Sequence, residues 1–203
     1  IYSLEIKSKG NMIFGSSSLM EVHGNEIIIN CDRGINLSSN SLAFGMLDYV
    51  HLSANDYVVY GQGNTNSSYK NINNSVLEFR GTDSFFISCS GPVTFNTNSF
   101  AGNFRLNSFK VFSNQSIAFE TRSFVSPYVG TLEITSLKYI YFAPNSLGSD
   151  STIGQLWLYT NSNVTFGMHA LENTQTHQFH ITFLEDKNIH YDTNKTILGN
   201  ITI

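Results

Sequence analysis

Apolar side chains recur along the chain in short alternating runs, and the runs return at a fixed interval. "PVTFNTNSF" (92–100), "SIAFETRSF" (116–124), "YIYFAPNSL" (139–147) and "NVTFGMHAL" (163–171) are copies of one phrase. Taking the aromatic or leucine of each copy as an anchor gives Phe14, Leu37, Tyr60, Phe95, Phe119, Phe142, Phe166 and Tyr191. The anchors stand 23, 23, 35, 24, 23, 24 and 25 residues apart. Two, eight and ten residues before each anchor the chain is apolar in all eight copies, from Met12, Ile6 and Leu4 to Ile189, Phe183 and Ile181. With an apolar fraction of 41% such agreement is no accident. The phrase is a structural repeat.

Apolar residues at alternate positions, ten and eight before the anchor and then two before and at it, predict two short strands showing one face to a core. The residue five before the anchor is usually a turn former: Asp32, Asn55, Ser90, Asn114, Asn161 and Asp186. One such unit cannot bury its own apolar face, whereas stacked units can, each strand pairing with its copy about 4.8 Å away. The expected fold is therefore all-β: a parallel, right-handed β-helix or solenoid of about eight rungs of 23–25 residues. It forms a single repeat domain over residues 1–203, read as a fragment of a longer chain. The interval of 35 contains "GQGNTNSSYKNINNS" (61–75), expected to be an inserted polar loop.

Six residues before the anchor stand Ser8, Cys31, Ala54, Cys89, Ser113, Ser136, Thr160 and Glu185. The alternation points these inward at a corner where only small groups fit. Cys31 and Cys89 then share one register two rungs apart, roughly 10 Å, too far for a disulfide and best read as small buried thiols.

Composition agrees with tight-turned β structure. There are 23 Asn, 26 Ser and 16 Thr against three Pro, and 13% of residues are charged. The 11 Lys and Arg are scattered and the net charge is −4, which argues against nucleic-acid binding through phosphates. No apolar run reaches the roughly 20 residues of a membrane-spanning helix. Seven N-x-S/T sequons, at Asn36, Asn66, Asn73, Asn114, Asn163, Asn194 and Asn200, are close to what this composition gives by chance.

Outward residues at equal register lie side by side, so neighbours can be named. Nine before the anchor stand Glu5, Ile28, His51, Phe86, Lys110, Glu133, Trp157 and Thr182; seven before stand Lys7, Asn30, Ser53, Ser88, Phe112, Thr135, Tyr159 and Leu184. Neither column stacks the carboxylates that glycosidic acid/base or metal-assisted chemistry needs. No phosphate loop or nucleophile elbow is present. His177 and His180, with Glu185, Asp186 and His190, have a helical rather than a strand spacing for zinc, and solvent-facing histidines are the better reading. No catalytic residue, cofactor or metal is expected. The sharpest feature is aromatic: Phe86, Phe112, Tyr141, Trp157 and Tyr159 all fall at outward positions. They are either covered by a neighbouring segment or form a recognition surface for a protein or a glycan.

The Asn/Ser/Thr-rich, Cys-poor phrases "VTFNTNSFAGN" and "NVTFGMHALEN" resemble the repeat regions of vacuolating-cytotoxin-like autotransporter passengers. That resemblance implies a secreted or surface-exposed stalk acting in adhesion or toxin delivery, with a host-cell protein or glycan as partner. "LNSFKV" (106–111), "VGTLEI" (129–134) and "IGQLWL" (153–158) also resemble the opening of leucine-rich repeats of the bacterial-surface-antigen (BspA-like) type. That family's Ile-Gly pair and closing Cys are missing. A polysaccharide lyase or hydrolase remains as a third reading, and open solenoid edges would invite end-to-end self-association.

Overall fold

A computed structural model of the chain describes residues 2–15, 18–19, 22–38, 47–60, 82–97, 99–101, 105–125, 128–147, 151–172, 174–183, 189–191 and 201–202. The first four rungs contribute β1 (Ser3–Ser8), β2 (Met12–Phe14), β3 (Gly24–Cys31), β4 (Gly34–Leu37), β5 (Leu47–Ala54), β6 (Tyr57–Tyr60), β7 (Thr82–Cys89) and β8 (Val93–Phe95). Next come β9 (Phe100–Ala101), β10 (Arg105–Ser113), β11 (Ile117–Phe119), β12 (Phe124–Val125), β13 (Tyr128–Ser136) and β14 (Ile140–Phe142). The chain continues through β15 (Thr152–Thr160), β16 (Val164–Phe166), β17 (Gln175–Phe183), β18 (Ile189–Tyr191) and β19 (Ile201–Thr202).

All described regular structure is strand, and every strand pairs in parallel. The long strands form one sheet in the order β1-β3-β5-β7-β10-β13-β15-β17-β19, and the short strands a second, β18-β16-β14-β11-β8-β6-β4-β2. The chain is a parallel β-solenoid. The count differs slightly from eight rungs, since nine strands make the long sheet and eight the short one. A third wall, unforeseen as a sheet, pairs β9 with β12 and brings in the apolar column five residues after the anchor, where Phe124 and Leu147 are fully buried. The inserted loop expected at 61–75 lies outside the described residues.

The core is a set of columns running up the solenoid. Phe95, Phe119, Phe142 and Phe166 stack with centroids 4.7, 4.9 and 5.0 Å apart. That is the rung spacing, so identical anchors at equal register must stack face to face.

The corner column does more than fit small groups. Ser113 Oγ donates to the Gly91 carbonyl (2.7 Å) and Ser136 Oγ to the Gln115 carbonyl (2.6 Å). Cys31 Sγ reaches the Gly10 carbonyl at 2.9 Å. Each donor thus ties the corner to a turn carbonyl of the rung before, sharing the Gly10 carbonyl with Ser8 Oγ and the Gln115 carbonyl with the Lys138 amide. Cys31 and Cys89 are buried and free, with Ala54 between them in register.

Two features depart from simple alternation. Pairing along the long sheet skips Asn107, Gly130, Gly154 and His177, so Val129 and Leu132, both inward, are separated by two residues. The strands bend at this column. A Cβ on Gly154 would stand 2.6 Å from the Gly130 carbonyl oxygen, which is why "VGTLEI" and "IGQLWL" carry glycine there. The last rung is also displaced by two residues. Leu156 pairs with Phe179, Leu158 with Ile181 and Thr160 with Phe183, not with Ile181, Phe183 and Glu185 as the anchor spacing predicted. The corner from Phe183 to Ile189 is two residues longer than the one from Thr160 to Val164, and a shift of two preserves every inward–outward choice.

Candidate functional site

The outer face of the long sheet carries most of the chain's unusual side chains. Alternation sends residues nine and seven before each anchor outward, and here they are half-buried or exposed while their neighbours are buried. The first of these columns reads Glu5, Ile28, His51, Phe86, Lys110, Glu133, Trp157 and His180. His180 takes the place expected for Thr182, and Thr182 the place expected for Leu184, because of the displaced last rung.

Of the five expected aromatics, four share this face and one does not. Tyr141 stands on the outer face of the short sheet between Ala118 and Thr165, a different wall of the solenoid. Phe112 pairs with Ser88 and Thr135 in the second column. Phe86 and Trp157 occupy one column, three rungs apart, roughly 14 Å. The expected single cluster is two.

Each cluster is completed by rings that the sequence reading did not place in it. Phe86 stacks on His51, centroids 4.8 Å apart, and Tyr49 lies 6.1 Å from His51. Trp157 lies 5.0 Å from His180 at 43° and 6.5 Å from Tyr159 with ring planes 16° apart. His51 stood in the outward column but was not counted as a ring, and His180 was hidden by the register shift. Burial holds the His51 imidazole below its usual value of 6.5, favouring the neutral ring. Its Nε2 is buried without a hydrogen-bonding partner among the described residues. His180 Nε2 lies 2.7 Å from Thr182 Oγ1.

Between the two clusters Lys110 Nζ meets Glu133 Oε2 at 2.8 Å, with the two side chains 50% and 34% exposed. A polar column runs beside the rings: Thr131 Oγ1 donates to Gln155 Oε1 (3.2 Å), and Gln155 Nε2 to Gln178 Oε1 (2.8 Å). Among the described residues no three His, Cys, Asp or Glu side chains gather to hold a metal, although Glu185, Asp186 and the His190 side chain fall outside that description. The face can stack, exclude water and exchange hydrogen bonds.

Comparison with known proteins gives no match among family models, curated proteins or solved structures. No helix among the described residues is long and apolar enough to cross a membrane.

Proposed function

We propose that the chain is a segment of an extracellular β-solenoid scaffold or adhesin, secreted or held at a cell surface, that presents the long-sheet outer face to a host protein or glycan and performs no catalysis. The observation that carries this reading is the Trp157–Tyr159–His180 cluster. Rings on a hydrogen-bonded sheet are held in place before a ligand arrives, and rigid aromatics supply contact energy at little entropic cost. The autotransporter-like phrasing of the repeat and the Asn/Ser/Thr-rich composition support the extracellular setting.

A glycan array and a cell-surface binding assay on the purified chain test this, alongside a Trp157→Ala/Tyr159→Ala variant checked for its β spectrum. Binding that the folded variant loses supports a receptor face. Binding that it keeps, or none to either glycans or cells, refutes this use of the rings. A polysaccharide-active enzyme remains the competing reading, and release of reducing ends from a bound glycan would establish it.

A further inference from the structure

The Lys110–Glu133 pair lies in register between two ring clusters, and this placement asks more of it than a solvated ion pair. Going along the column, Phe86 precedes Lys110 and Trp157 follows Glu133. The other side of Phe86 is stacked on His51, and the other side of Trp157 faces His180. Each cluster therefore borders the ion pair in register, one rung away on either side. Ser108 and Thr131 flank the pair on one side, Phe112 and Thr135 on the other. The result is a strip three rung-spacings long, with apolar ends and a floor of donors and acceptors.

Charge decides what such a strip can hold. Lys110 and Glu133 neutralise each other at 2.8 Å, and among the described residues the only other ion pair in the outer columns, Lys7–Glu5, is also internally matched. An anionic or cationic ligand would have to part the pair, whereas a neutral polyol can accept from the ammonium and donate to the carboxylate while the pair stays intact. Sugar rings add apolar C–H faces suited to aromatic walls. A pyranose in an extended glycan also advances by about one rung spacing, so a glycan parallel to the axis presents successive rings in step with successive rungs.

We propose that the strip from Phe86 to Trp157 is a subsite for an uncharged glycan laid along the solenoid axis, with Lys110 and Glu133 binding its hydroxyls and the two ring clusters bounding it. The proposal rests on the recognition-face reading above and narrows it to a ligand class and a direction.

The test is affinity electrophoresis and calorimetry of the whole chain with linear neutral oligosaccharides, β1,4-linked glucose and galactose series, from disaccharide to octasaccharide. Phe86→Thr, Trp157→Thr and Glu133→Gln are compared, threonine being a residue these outer columns already accept. The expected result is affinity that climbs with length until the strip is spanned, barely moves with salt, and falls roughly tenfold in each variant for the longest chains. Trp157→Thr alone should matter for the shortest ones. Should Glu133→Gln fail to fold, Lys110→Met replaces it. Glycan binding that ignores Phe86 and Glu133 but is lost with Trp157 and Tyr159 overturns the axial subsite and leaves the recognition face standing. A preference for sulfated or uronic-acid chains that fades with salt overturns the uncharged ligand. Failure of every neutral glycan to bind the folded chain overturns the subsite, and failure of cell binding as well removes the recognition face with it.

Discussion

Phe142 and Phe166 stack with their ring planes 1° from parallel and their centroids 5.0 Å apart. Phe142 also stacks on Phe119, at 4.9 Å, so it is packed on both faces and fully buried. Truncating it opens a void that neighbours fixed by rung hydrogen bonds cannot collapse to fill. Phe142→Ala should lose about 3–5 kcal/mol in urea unfolding, and Phe142→Leu, the residue of rung two, markedly less. Equal losses would mean that the column is not packed this way.

Ser136 is held by what it donates to and by what it receives. Its hydroxyl donates to the Gln115 carbonyl and accepts from the Lys138 amide at 3.2 Å. Ser136→Ala removes a shared partner, since the Lys138 amide also donates to the Gln115 carbonyl at 3.2 Å, and should cost about 0.5–1.5 kcal/mol. Ser136→Thr, which copies Thr160 one rung on, should cost much less. If alanine and threonine behave alike, the corner column selects on size alone.

The His51 ring titrates against folding. Its folded-state value is depressed by burial, so the unfolded chain takes up its proton at a higher pH than the native one. Stability from this residue is full above the ordinary value of 6.5 and is lost as pH falls through the depressed folded-state value. Urea midpoints measured from about pH 8 down to about pH 5 should therefore drop further for the parent chain than for His51→Phe. Parallel pH profiles would show that the imidazole is solvated.

Cys89 should be chemically silent. Burial pushes its thiol up to about 11, aided by the Asp56 charge and opposed by a hydrogen bond from the Gly91 backbone. At about pH 8 it is protonated as well as covered, and the thiolate is the reactive species. Ellman's reagent should label neither Cys31 nor Cys89 in the native chain and both after unfolding, with no disulfide formed on oxidation. Fast labelling of the native chain would contradict a closed corner.

A fourth column concerns backbone strain. Arg122, Asn145 and His169, each three residues after its anchor, all have positive φ, 54°, 56° and 60°. Left-handed geometry disfavours Arg and is tolerated by Asn. Arg122→Asn should raise the unfolding free energy by up to about 1 kcal/mol. A loss instead would mean that the arginine side chain contributes more than its backbone costs.

Much of this fold was legible because a solenoid repeats its physics. Once the columns of Ile, Val and Phe are aligned, pairing partners such as Phe109–Leu132 follow by arithmetic, and the structure has them. The bend at Gly130 and Gly154 was harder to see, since a skipped pairing position changes spacing by one residue before the strand's clear alternation begins. The last rung was mis-registered because alternation looks identical after a shift of two; the failing signal was Glu185 in a column of small residues. The aromatic outer face was half legible. The columns placed Phe86, Phe112, Trp157 and Tyr159 together but could not show that Tyr141 points from another wall, or that His51 and His180 complete the ring clusters.

The displaced last rung has a consequence for where the repeat varies in length. Between a long strand and the short strand after it the spacing changes once, by two residues, from Thr160–Val164 to Phe183–Ile189, and the strands stay in step. Between an anchor and the next long strand it changes more often: the sequence there runs one residue longer in some copies and a dozen longer after Tyr60. Length variation within this chain is thus concentrated between an anchor and the next long strand, where it redraws the outline and leaves the two stacked sheets in step. The repeat behaves like a text with a protected reading frame and a free margin.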